Sequence, residues 1–361
     1  MKSTLKVLFI AIVLLINLAP KANAFQQSYD LKNSLPRGYV TDGSIDYTIY
    51  LQRAINSYES VSFPGFPIMV NDKGLVIPSN KTLIFQPGAK LILKPTQKRY
   101  YNILKIFNSQ NIRIINAVIE GDRNGHLGND GQWGAGIGIF SSQNIIIENA
   151  KISNCWGDGI NIGQDQKLQI VPKNIEIRGA TLTNNRRNGI SVGCVEGLKI
   201  LSSYIAYSNG QTPESGIDLE PNNASEVIKD VLISNVTTEG NKGAGILMYF
   251  PKLYGETGGN NINIALDNHI DKASTIGVRI IGYKLNPSNG GRLSGDITIS
   301  NPRWINNIKR GFDANLLKES SLKLKLNGVS ITDKGRQIKN LTEVKDVIKK
   351  ASATTSNISI N

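Results

Sequence analysis

Asn174-Ile-Glu-Ile177, a polar turn, and then Gly189-Ile-Ser-Val-Gly193 form one copy of a unit that recurs along this chain. Aligned on the glycine, the other copies read Gly136-Ile-Gly-Ile-Phe140, Gly159-Ile-Asn-Ile-Gly163, Gly216-Ile-Asp-Leu-Glu220, Gly245-Ile-Leu-Met-Tyr249 and Gly277-Val-Arg-Ile-Ile281. A second short apolar strand precedes them, as in Asn144-Ile-Ile-Ile147, Val231-Leu-Ile233 and Ile262-Asn-Ile264, with turns rich in Asn, Ser and Gly between. Such a unit holds two or three short strands and leaves no room for a crossover helix. Stacked copies of that kind build a solenoid. The reading is all-β: a single-stranded right-handed parallel β-helix. An antiparallel sandwich also has short strands and turn residues, but its strands pair as mirrored hairpins, whereas these copies repeat in one order.

A coil exposes core and strand edges at both ends, and both must be covered. Leu51, Ala54, Ile55 and Tyr58 at helical spacing predict an N-terminal capping helix over Asp46 to Ser57. Thr342 as a cap and the apolar stripe Leu341, Val344, Val347 and Ile348 predict a C-terminal helix. Residues 25–350 then form one β-helix domain with its end caps, and 351–361 a flexible polar tail. Residues 1–24, with Lys2, Lys6, an apolar run and Ala22-Asn-Ala24, have the pattern of a cleavable secretory signal. The apolar run is short for a membrane span. The expected protein is secreted or periplasmic, monomeric, and without a membrane anchor once the leader is gone.

The formal charge is +13, and loss of Lys2, Lys6 and Lys21 with no acid lowers it to +10. Outside the cytoplasm a basic protein suits an anionic polysaccharide better than nucleic acid. Two cysteines, Cys155 and Cys194, are too few for a disulfide scaffold and are expected as free thiols at opposite ends of neighbouring strands. No phosphate-cradling loop is present, and no dense acidic cluster marks a metal site.

The opening of the coil carries a family resemblance. Tyr39-Val-Thr-Asp-Gly-Ser-Ile-Asp46 running into Ala54-Ile-Asn56, then Val61-Ser-Phe-Pro-Gly65 and Leu75-Val-Ile-Pro-Ser79, resembles the start of the pectate-lyase-like superfamily of right-handed β-helix proteins. The resemblance implies a carbohydrate context. That superfamily holds hydrolases, lyases, epimerases and phage depolymerases, so the reaction stays open.

The chemistry is sought on the outward face. Strand side chains alternate, so in Gly216-Ile-Asp-Leu-Glu220 the apolar pair turns inward while Asp218 and Glu220 share the wet face, roughly 6.5–7 Å apart. One outward column reads Gly138, Asn161, Ser191, Asp218, Leu247, Arg279, and its neighbour Phe140, Gly163, Gly193, Glu220, Tyr249, Ile281. Glycines beside the acids leave room for a sugar ring. Inverting glycosidases need an acid and a base about 6.5–9.5 Å apart, which makes Asp218 and Glu220 the candidate catalytic pair. Arg279, Tyr249 and Asn161 are candidate substrate-binding residues.

Asn154-Cys-Trp-Gly-Asp158-Gly159 resembles the Asn-x-Asp-Gly element of polygalacturonases, and Gly277-Val-Arg279-Ile280 resembles their Arg-Ile-Lys strand. The paired aspartates, the Gly-His-Gly and the lysine of that family are absent, so Asp158 reads first as a turn residue and second as a substrate contact. The insertion from Gly121 to Trp133 resembles a cleft-flanking loop, with Trp133 a stacking platform, Arg123 an anion contact and His126 a proton carrier. The expected function is a glycoside hydrolase acting on an acidic polysaccharide without a cofactor. The alternatives are a lyase or uronate epimerase, with calcium as a possible requirement, and a non-catalytic carbohydrate-binding coil.

Overall fold

The computed structural model describes residues 28–253, 261–282, 293–316, 321–338, 341–352 and 358–361. The leader, residues 1–24, lies outside them. The chain winds as a right-handed parallel β-helix of about nine turns, and the two α-helices among the described residues lie near its ends. Three sheets of 12, 9 and 11 strands run along the coil, their strands pairing in parallel with counterparts one turn away, except that Arg336–Ile338 folds back antiparallel on Ser330–Asp333 at the end of the 11-stranded sheet.

Stacking in register explains the core. On the 12-stranded sheet the inward column runs Ile112, Ile145, Ile175, Leu198, Val231, Ile264, Ile297 and Leu324, and every member is buried. Each such side chain contributes about 1.5–3 kcal/mol by leaving water, so one column holds eight turns in line.

The turns depend on asparagine. Asn80, Asn111, Asn144 and Asn174 stack at one corner with φ between 54° and 62°, a left-handed conformation that asparagine tolerates better than other residues with a Cβ. Their amides bond rung to rung, Asn144 Nδ2 donating to Asn111 Oδ1 at 3.1 Å and Asn174 Nδ2 to Asn144 Oδ1 at 3.0 Å. Asn144→Val would lose both the tolerated φ and the ladder. It is expected to cost about 1–3 kcal/mol, read as a lowered urea midpoint, with Asn144→Gly costing less.

The N-terminal cap is helix α1, Thr48–Ser57. It begins where Asp46 accepts hydrogen bonds from Thr48 N and Oγ1 at 2.9 and 2.6 Å, and it buries Leu51, Ala54 and Ile55 against the first turn. Tyr58 is exposed and stacks on Tyr29 instead. Helix α2, Leu341–Ala351, seats Val344 and Ile348 at the other end. The tail departs from expectation: Ile358–Ile360 is not loose but pairs in parallel with Leu324–Leu326 and extends the 12-stranded sheet.

One interior column turns polar. On the 11-stranded sheet it runs Ile152, Leu182, Ile205, Thr238, Asp271, Trp304. Asp271 accepts from Thr238 Oγ1 at 2.6 Å, Ser274 Oγ at 2.7 Å and the Asn307 amide, while burial pushes its pKa up to about 6. His269 is buried 2.8 Å from Thr238 Oγ1. Because that hydroxyl donates to Asp271, His269 Nε2 is the donor and the ring is neutral.

Candidate active-site groove

The 9-stranded sheet carries the outward column as aligned: Gly138, Asn161, Ser191, Asp218, Leu247 and Arg279 are Cα partners strand by strand. Upstream, Trp133 pairs with Tyr100 and Phe140 with Phe107. The column lies beside a groove of about 550 Å³ whose lining includes Trp133, Phe140, Asn161, Asp218 and Glu220. A second hollow of about 390 Å³ continues past Glu220 to Tyr249 and Arg279, sharing Gln132, Arg187 and Glu220 with the first. Of the expected site residues, Asp218, Glu220, Asn161, Trp133, Tyr249 and Arg279 all line these two hollows.

The glycines act as expected on one side only. A Cβ on Gly163 would meet nothing closer than the Phe140 ring at 3.7 Å, whereas at Gly193 it would meet Asn222 Nδ2 at 3.0 Å. The space beside Gly193 is therefore narrowed by the loop that follows Glu220.

Asp218 is not on a wet face. It is 1% exposed, because Arg187 and Asn188 fold over it from the turn before Gly189. Asn188 Nδ2 donates to Asp218 Oδ2 at 3.1 Å, and Oδ1 has no protein partner. Glu220, a quarter exposed, reaches the open groove and pairs with Lys252 at 3.3 Å.

Arg187 organises the acids. One nitrogen, Nη2, lies 3.7 Å from both Asp218 Oδ2 and Glu220 Oε2, so those oxygens can be no more than twice that, about 7.4 Å, apart. Its other nitrogen, Nη1, reaches Asp158 at 3.1 and 3.3 Å and Ser191 Oγ at 3.0 Å. A single cation cannot neutralise three carboxylates. Burial raises the pKa of Asp218 well above its ordinary value; Arg187 pulls it back only in part, the charges of Glu220 and Asp158 add to the rise, and the Asn188 bond lowers it slightly. Asp158, fully buried, is also raised by burial despite Arg187.

Asp158 therefore does not meet substrate, as it lies beneath the groove. It belongs to a buried ladder in which a side chain on each turn accepts from the next turn's backbone: Asn188 N donates to Asp158 Oδ1 at 3.1 Å, and Ser215 N to Asn188 Oδ1 at 2.8 Å. Arg187 links Asp158 to Asp218.

Arg279 is engaged by Asp313 at 3.2 Å, and Tyr249 packs against Ala244, Leu247 and Ile276 while lining the second hollow. Arg123 meets no anion; it donates to Asn184 O at 2.7 Å and Asn209 Oδ1 at 2.6 Å. His126 is buried, bonded to Asp122 at 2.8 Å and stacked on Trp156. On Trp156 lies Arg186, which also donates to Gly131 O at 2.8 Å. These contacts fasten the insertion and so fix Trp133 at the groove. Cys155 and Cys194 are free and buried. Among the described residues no three His, Cys, Asp or Glu side chains gather as metal ligands.

Arg187, Asn188, Tyr100, Phe107, Asn222, Glu226 and Lys252 were missed in the sequence. Arg187 had a signal: it stands two places before its glycine, as Gly157 does, and its N–H bonds Gly157 O at 2.9 Å. Extending the alignment back into the turns places it beside the acids.

No family model matches the chain. Two curated relatives from Bacillus subtilis strain 168 align with part of it. The SPbeta prophage-derived uncharacterized protein YorA is 33% identical over 162 residues, 41% of this chain and 28% of that protein. The uncharacterized protein YclG is 26% identical over 223 residues, 52% of this chain and 37% of that protein. The chain thus spans about a third of the length of these relatives. Among solved structures, the mutant tailspike protein of E. coli bacteriophage HK620 in complex with pentasaccharide superposes at a TM-score of 0.63 and 15% identity, over 92% of this chain and 60% of that one. The Azotobacter vinelandii mannuronan C-5 epimerase AlgE4 A-module gives 0.56 and 14%, over 84% and 89%. The Streptococcus pneumoniae surface protein and adhesin PfbA gives 0.55 and 14%, over 92% and 88%. At these identities the likeness is one of fold, the right-handed parallel β-helix.

Proposed function

We propose that the protein is an exported glycoside hydrolase that cleaves a polysaccharide, with Asp218 as general acid and Glu220 as general base. The carrying observation is the asymmetry of the pair: a buried carboxyl with a raised pKa and an unbonded oxygen beside a carboxylate that reaches the open groove. Two acids in unlike environments are what acid–base division of labour requires. In the proposed step Asp218 gives its proton to the glycosidic oxygen as the bond to the anomeric carbon breaks. Water forms the new bond from the other face and yields its proton to Glu220. The upper bound of about 7.4 Å admits the lower part of the inverting range, about 6.5–9.5 Å, and also the retaining separation of about 5–5.5 Å.

A pentasaccharide-bound tailspike and an enzyme named for mannuronan among the structural neighbours support a carbohydrate ligand. The lyase or epimerase reading has less support, since Arg279, the groove cation such a reaction would set against a uronate, is tied to Asp313. Incubation with a panel of bacterial and plant polysaccharides tests the choice. Hydrolysis predicts new reducing ends without the ultraviolet absorbance of an unsaturated uronate. That absorbance, above all if EDTA abolishes it, would instead establish a calcium-dependent lyase, and an uncleaved but bound glycan would establish a binding coil.

A further inference from the structure

The charge of the groove speaks to its substrate. The sequence surplus of basic residues led to an anionic polysaccharide, but that surplus is not in the groove. The lining carries Asp165, Asp218, Glu220 and Glu226 against Arg187 and Lys252, and the second hollow adds only Arg279. Each of these cations is already engaged: Arg187 by three carboxylates, Lys252 by Glu220 and Arg279 by Asp313. A uronate entering here would meet no unpaired cation among the described lining residues. It would have to break an existing ion pair and face Asp165, Glu220 and Glu226 as like charges, which costs binding on two counts. Some basic side chains elsewhere are spent on surface pairs, as where Arg113 and Arg178 flank Glu148 on the 12-stranded sheet.

What the groove offers instead is amide and aromatic. Gln132, Asn161, Gln164, Gln166 and Asn222 line it, and primary amides both donate to and accept from hydroxyls. Tyr100 and Trp133 stand side by side on adjacent strands, 55% and 43% exposed. Their faces suit the apolar face of a pyranose. The two hollows meet at Glu220 and both stay open to solvent along the coil, four strand steps upstream of the acids and two downstream, at about 4.8 Å per step.

We propose that the groove binds a neutral, hydroxyl-rich polysaccharide whose chain runs past Glu220 on both sides, so that internal bonds are reached. This rests on the groove being the site of the hydrolase reading above, yet the test separates the two. Binding of the full chain carrying Glu220→Gln is measured by calorimetry and affinity electrophoresis. The neutral probes are dextran, galactan and rhamnose-rich O-polysaccharide; the acidic ones are alginate and polygalacturonate. Wild-type protein is assayed in parallel for reducing ends and product length.

The expected result is binding to a neutral probe, unchanged between roughly 0.05 and 0.5 M NaCl because no charge pair is formed, and weakened about tenfold by Trp133→Ala. Internal cleavage would appear as a rapid fall in polymer length. Preferred binding to alginate or polygalacturonate, affinity that falls steeply with salt, affinity untouched by Trp133→Ala, or binding to no neutral probe each overturns the proposal. Neutral binding without new reducing ends upholds the substrate assignment and removes the hydrolase reading, while cleavage of an acidic probe does the reverse.

Discussion

Replacing Glu220 by Gln or Asp218 by Asn is expected to lower kcat by about 10²–10⁴, the usual contribution of a positioned acid or base, with the fold intact. Asn at 218 still accepts from Asn188 Nδ2 and removes a carboxyl that burial makes costly to ionise, so the melting temperature should hold or rise. A purely structural Asp218 predicts the opposite pairing, retained turnover with lost stability. The pH profile is the sharper readout. Activity requires Asp218 protonated and Glu220 ionised, which gives a bell whose basic limb reports Asp218. That limb should stand well above the ordinary aspartate range and vanish from the residual activity of Asp218→Asn. Stability follows the same group. A carboxyl whose folded pKa is raised stabilises the fold below its unfolded pKa, and that contribution is lost as pH rises through the folded value. Wild-type stability should therefore decline toward alkaline pH, and Asp218→Asn should flatten the decline, as measured by urea unfolding across the range.

The coil was legible because two regularities reinforce each other. Alternation in Gly216-Ile-Asp-Leu-Glu220 assigns faces, and stacking of like copies assigns neighbours, so the column from Asn161 to Arg279 could be written from the letters alone. Repeated Asn at the turns was equally readable, since few other residues accept a positive φ. What could not be read is where long side chains leaving a turn come to rest. Alignment carries the Arg187 backbone to the turn beside the acids, but no periodicity shows that its side chain folds back over Asp218, and that decides that a nominally outward acid is buried. Asp158 illustrates the same gap: good turn chemistry hid a fully buried carboxylate. The tail strand Ile358–Ile360 was missed because three alternating residues carry little signal until Leu324–Leu326 offers an edge. Net charge could not decide the substrate, because a total says nothing of which cations are already paired.

Arg187→Ala is expected to be the most destabilising single change at the site, at about 3–5 kcal/mol, the cost of leaving buried carboxylates uncompensated. The guanidinium is 14% exposed and its partners Asp158 and Asp218 at most 1%, so the figure for surface pairs, about 0–1 kcal/mol, does not apply. The loss should depend on pH with a definite sign. Without the cation both carboxyls, already raised, rise further. The folded state then tolerates them only when protonated, so the deficit is largest near pH 8 and shrinks toward pH 5. Arg187→Lys should be intermediate, because one ammonium cannot span Asp158, Asp218 and Glu220 as the guanidinium fork does. Adding Asp158→Asn to Arg187→Ala removes one of the stranded charges and should restore part of the stability without restoring turnover, since Asp218 and Glu220 would still lack the group that holds them together. Urea midpoints at the two pH values, with kcat measured on the same preparations, separate these outcomes. Equal destabilisation at both pH values would mean that Arg187 acts through packing rather than charge.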